Sequence, residues 1–183
     1  MSQGIVTVAS NPEDSQMAEA VISHHAAMVG RVDELVGAVA AAITAGVETG
    51  TARDAVVAYF RNEVLPHAKA EESTLYEAAA RNDRARMLIE TMTVEHDTIA
   101  ESISRLEQAE ESGAVGAAAG ALDALFTTHV GRENDFVIPL LAGDPSVSLA
   151  GLVEGLHELI GGEESQSESG KNASGCGCGC GHG

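Results

Sequence analysis

Tryptophan is absent from this chain of 183 residues, and the aromatic residues together make up only 3% of it. Only four prolines occur, and no cysteine appears before residue 176. Sheets draw on β-branched and aromatic side chains, so this poverty of aromatics disfavours a β-rich fold. Because all three cysteines crowd into the last eight residues, a disulfide-stapled core is excluded. Basic residues are also scarce: 10 Lys and Arg stand against 28 Asp and Glu, a formal charge of −18. Nucleic acid and anionic membrane surfaces require clustered Lys and Arg, so neither is an expected partner. No run approaches the ~20 apolar residues that span a bilayer. The segment MSQGIVTVAS lacks the basic and apolar regions of a secretory signal, and a cytoplasmic protein is expected.

What remains is an Ala-, Val- and Leu-rich chain interleaved with Glu, Asp and Arg, 44% hydrophobic. That composition favours helix and is too apolar for a disordered acidic protein. Periodicity divides it. An apolar stripe at Val21, Met28, Val32, Leu35, Val36 and Val39 predicts a helix from Ser15 to about Ala45, capped through Asn11-Pro12-Glu13-Asp14 and ended by Gly46. A second helix is expected from about Thr51, with Thr51 and Asp54 as a capping pair, to Arg81. Pro66 inside it should kink it or loosen a turn. A third is expected from Asp83 to Ser112 and a fourth from Gly113 to Leu141, before Gly143-Asp144-Pro145. A short fifth helix should cover Leu149 to Ile160.

Four segments of about 30 residues joined by short breaks favour an all-α, antiparallel up-down-up-down four-helix bundle. In this division residues 1–14 are an N-terminal extension, 15–160 the bundle, and 161–183 a flexible Gly-, Ser- and Glu-rich tail.

Each long segment carries at least one histidine. The first helix carries His24 and His25, the second His67 with Glu71, the third His96, and the fourth His129 with Glu133. Residues i and i+4 share a helix face, so each His-x-x-x-Glu pair presents a nitrogen and a carboxylate side by side. Counted from the shared end of an antiparallel bundle, all six residues lie roughly 12–21 Å in, at 1.5 Å per residue. They can converge on one layer and enclose a pair of metal ions, since imidazole suits transition metals and carboxylates can bridge two cations. A ferritin-like site would need Glu-x-x-His on two helices. Only Glu154 and His157 show that spacing among these helices, on the short fifth one.

In four separated segments the chain resembles the hemerythrin-like, or HHE cation-binding, family over roughly residues 15–142. His25 with Met28 matches the first-helix motif, PHAKAEESTLY the second, VEHDTI the third and HVGRENDFVIPLL the last. The resemblance implies two non-haem iron ions, oxo- or hydroxo-bridged, with Glu71 and Glu133 as bridging carboxylates. His25, His67, His96 and His129 would be the terminal ligands. The family's oxygen carriers place a second histidine one turn from the third-helix histidine; here those positions are Met92 and Ala100. Glu72, His24 and Tyr59 are the candidate substitutes, although His24 is expected to point towards a neighbouring helix or solvent, and Glu72 and Glu95 to lie on solvated faces.

An open coordination position favours reaction over reversible carriage, with oxygen, hydrogen peroxide or nitric oxide as the ligands. Catalase-like peroxide decomposition and nitric oxide oxidation are the candidate activities. The alternatives are an iron or oxygen sensor or an iron reservoir without turnover, and a metal-handling protein acting through its tail. There Cys176, Cys178, Cys180 and His182 form Cys-x-Cys-x-Cys-x-His, donors suited to zinc or copper.

Overall fold

The computed structural model describes residues 9–168, with side chains to Ile160, and the described residues form helices without strands. The first helix, Pro12–Ala45, begins with Asn11 accepting a hydrogen bond from the Asp14 amide, and Pro12 occupies the first turn. It starts three residues before the expected Ser15, because the Asn-Pro signal is itself the cap. Gly46 ends it at φ 67°, the left-handed conformation that glycine adopts without steric cost.

The second helix is a continuous run over 50–79. α-Helical Gly50–Tyr59, Leu65–Glu71 and Glu77–Ala79 alternate with π-helical turns at Phe60–Val64 and Glu72–Tyr76. The expected Thr51–Asp54 capping pair does not form. The helix starts after Thr49, whose side chain makes no cap, and Asp54 instead takes the Arg53 guanidinium. The third helix, Arg86–Glu107, begins three residues later than expected, after a turn in which Asn82 accepts from the Arg84 amide. The fourth runs over 112–143 as α-helical Ser112–Arg132, a π turn Glu133–Val137, and α-helical Ile138–Gly143. The fifth, Leu149–Glu168, continues eight residues past the expected end at Ile160. The Glu and Gln residues beyond Gly162 are good helix formers even without an apolar stripe.

Two of the π turns precede proline. The Leu65 amide bonds the Phe60 carbonyl, and the Ile138 amide bonds the Glu133 carbonyl, both five residues back. Pro66 and Pro139 follow immediately. A proline ring clashes with the carbonyl four residues before it, and widening the turn relieves that clash without breaking the helix. The loosened turn expected at Pro66 is therefore present.

The first helix packs against the second and fourth, the third packs against the same two, and the fifth covers the first and second. Their buried side chains form two separate apolar clusters. One contains Val21, Leu75, Met92, Val137 and Leu141 with Leu149 and Val153 of the fifth helix. The other contains Met28, Val32, Phe60, Ile99, Ile103, Leu122 and Phe126. Burying a side chain of this size stabilises by about 1.5–3 kcal/mol. Between the clusters every apolar stripe is interrupted at one level, by buried His25, Glu71, His96, His129 and Glu133. Among the described residues no helix is long and apolar enough to cross a membrane.

Candidate metal centre

Each side chain at this level is delivered by helical spacing. His67 and Glu71 stand one turn apart on the second helix, and their nearest atoms, Nε2 and Oε1, are 3.1 Å apart. His129 and Glu133 repeat the relation on the fourth, with Nε2 and Oε1 3.4 Å apart. His25 Nε2 reaches in from the first helix to 3.5 Å from Glu71 Oε1, and His96 Nε2 from the third to 3.8 Å from Glu71 Oε2.

The six residues form two groups that share a carboxylate. His25, His67 and Glu71 make one; Glu71, His96, His129 and Glu133 make the other; within each, one ligand-type atom per residue lies within 4.8 Å of all the rest. Glu71 faces the first group with Oε1 and the second with Oε2. Glu133 does the same in reverse, with Oε1 towards His129 and Oε2 3.9 Å from His25. All six sequence-predicted residues are thus brought together.

Three buried polar atoms here have no hydrogen-bond partner: His25 Nε2, His67 Nε2 and Glu71 Oε1. Unsatisfied buried polar atoms are rare, and an unfilled ion site is one of their recognised causes. These three face one another, so one cation would satisfy all of them. Imidazole nitrogens and carboxylate oxygens in this mixture suit a divalent transition metal.

Three of the four rings are held from behind. His25 Nδ1 donates to Asn134 Oδ1 at 2.7 Å, His96 Nδ1 to Glu72 Oε1 at 2.7 Å, and His129 Nδ1 to Glu95 Oε2 at 3.0 Å. Glu95 is pinned in turn by Arg132. With Nδ1–H committed outward, a neutral ring keeps its Nε2 lone pair for the centre and its basicity rises. Glu72 and Glu95, expected on solvated faces, therefore serve as orienting acceptors. Helical spacing could not show this, because their partners lie on other helices.

Tyr76 is the member the sequence did not single out. Its hydroxyl donates to Glu133 Oε1 at 2.5 Å and lies 3.4 Å from both His96 Nε2 and His129 Nε2. Its ring stacks on His96 at a 5.3 Å centroid distance. Tyr76 is five residues after Glu71, and the π turn between them lets it share the face that residue 75 would take in an α-helix. It borders the centre beside His96 and His129. Of the candidate substitutes, Tyr59 instead packs against Phe60 and the apolar cluster that contains Met28 and Val32. His24 is exposed, as expected, with its ring 5.2 Å from that of His67.

Burial disfavours the His25 imidazolium, but the Glu71 carboxylate, helped by Glu133 and Asn134, outweighs it and raises His25 to about 9. Burial would raise Glu71 too, yet His67 and His25 hold it well below the usual carboxylate range. Burial and the Glu133 carboxylate push the Tyr76 phenol far up. Burial, with the imidazoles of His67, His25 and His157 nearby, lowers His24. A pocket beside the fifth helix ends at His25, His67 and Glu71. The tail residues Cys176, Cys178, Cys180 and His182 lie outside the described residues.

The hemerythrin HHE cation binding domain model matches residues 16–141, more than half of the chain. Comparisons with curated proteins and with solved structures give no match.

Proposed function

Because this chain belongs to the hemerythrin HHE cation-binding domain family, we propose that it holds two iron ions and reacts with oxygen, hydrogen peroxide or nitric oxide. One observation carries the proposal: two buried His/Glu groups share Glu71, and three of their inward atoms have no hydrogen-bond partner. One ion would take His25 and His67, the other His96 and His129, with Glu71 and Glu133 common to both. The ring of helix contacts is then an antiparallel up-down-up-down bundle, which puts these four helices level at the centre.

When bound, the ions supply the electrons and the Lewis acidity for small oxidants. The chain's own residues do the rest. Asn134, Glu72 and Glu95 fix three imidazoles with Nε2 inward. The apolar clusters flank the centre on both sides along the bundle and confine its open approach to one pocket. Tyr76 keeps a proton on the second group, on an oxygen already bonded to Glu133. At His25, His67 and Glu71 a pocket reaches the first group, so small molecules have a way in. These features favour reaction over storage.

Iron-loaded protein should consume hydrogen peroxide or nitric oxide in a stopped-flow assay, and Glu71→Ala should abolish the consumption. A fully iron-loaded protein that turns over neither would leave an iron or oxygen sensor, or a reservoir, as the function. The tail-based alternative predicts that removing residues 176–183 lowers the metal content of the bundle in cells. Unchanged content would remove it.

A further inference from the structure

The pocket beside the fifth helix is larger than dioxygen, peroxide or nitric oxide requires. Its volume is about 200 Å³, whereas a water molecule's share of the liquid is about 30 Å³ and a dry cavity of about 150 Å³ accepts benzene. Met17 and Val21 of the first helix, Leu75 of the second, and Val153 and Leu156 of the fifth give it mostly apolar walls. The exposed imidazoles of His24 and His157 border it, and the ring of His67 stands at its inner end, 5.2 Å from that of His24. Glu71 is the one carboxylate among the lining residues, and the chain's overall charge of −18 disfavours an anion.

We propose that this pocket binds a small neutral aromatic alcohol, a phenol, with its ring among the apolar walls and its hydroxyl on one of the bordering imidazoles. Apolar walls with a few convergent polar groups are what such ligands need, and an imidazole can both accept from and donate to a hydroxyl. The fifth helix is what makes the site, because it contributes Val153, Leu156 and His157. Binding stands on these walls and does not require the ions, although the phenol would rest against His25 and His67.

The test is a fluorine NMR titration of the full chain, after incubation with ferrous iron, with 4-fluorophenol, with 4-fluorobenzoate as the anionic comparator and metal content measured on the same sample. Ala20 lines the pocket and is exposed, so Ala20→Phe should fill the space and fold. Met17→Phe, on the same wall, serves if it does not. Saturable 4-fluorophenol binding with a dissociation constant on the order of a millimolar or below is expected. It should be weakened about tenfold or more by filling the pocket, since the ring then has no space, and the benzoate should bind far less well. Absence of saturable binding, equal binding by the filled variants, or equal binding of the benzoate would overturn the proposal. Metal content separates the two claims. Phenol binding to a protein that takes up no metal would sink only the metal centre, and full metal loading without phenol binding would sink only the pocket.

Discussion

At the scale of single residues, the centre depends as much on what stands behind the imidazoles as on the imidazoles themselves. Glu72 and Glu95 accept from His96 and His129, and orienting carboxylates of this kind are worth about 10–100-fold in metal affinity. Glu95→Gln should therefore weaken metal retention by about tenfold in a chelator competition while leaving the helical circular dichroism unchanged. An unaltered competition curve would make Glu95 an ordinary surface ion pair with Arg132. Glu71→Ala should be harsher, because one side chain faces both groups. Metal content should fall for both ions together, read by elemental analysis. Here His67, Glu71, His129 and Glu133 were legible from His-x-x-x-Glu spacing, a property of one helix at a time, and His25 and His96 from their similar depth along the other two helices. Tyr76, Glu72 and Glu95 were not, because their roles depend on a π turn and on contacts between helices, which local spacing does not encode.

At the scale of elements, caps and widened turns set where each helix begins and how its face is phased. Asp14 sits within the cap of the first helix and also accepts from the Leu149 and Ala150 amides at the start of the fifth, at 2.8 and 3.2 Å. Burial works against its charge, but these amides with Asn11 and Ser10 hold its carboxyl below the ordinary 3.8. A lowered folded-state value means that the stabilisation is fully present above about 3.8 and is lost as the pH falls below it. Asp14→Ala should cost about 2 kcal/mol in urea unfolding at pH 7, because buried amides lose their acceptor. The gap to the wild type should narrow as the pH falls below about 3.8, where Asp14 of the unfolded chain takes up a proton before the folded one does. A gap independent of pH would place the loss in packing and not in the cap. The Asn-Pro start and the Gly46 stop of the first helix were readable, because each uses a residue with a fixed backbone preference. The Thr51–Asp54 cap misled, since a helix can start on tertiary contacts alone. The fifth helix outran its apolar pattern for the reason that Glu and Gln carry helix without burial.

At the scale of the whole molecule, a polar layer divides the core into two apolar clusters, and all four long helices cross it at the same level. Such a layer is costly without compensation, and a ligand that binds only the folded state stabilises it by mass action. Metal loading should therefore raise the thermal unfolding midpoint, and exhaustive chelation should lower it again. An unchanged midpoint would mean that the layer is self-sufficient. The all-helical class followed from the missing aromatics and the 3.6-residue stripes, and the family from four motifs in order. How the fifth helix walls a pocket beside the centre could not be read, because its apolar pattern gives a buried face without saying what it faces.

The central claim is a pair of iron ions in the bundle, and its most direct test uses aerobically purified protein lacking residues 176–183, so that the tail thiols contribute nothing. Metal content per chain is measured together with the visible and near-ultraviolet spectrum. About two irons per chain, matching the two His/Glu groups, with ligand-to-iron charge-transfer bands, is the result expected for carboxylate-bridged ferric ions. Zinc or no metal, in a protein whose helical content is intact, would contradict it.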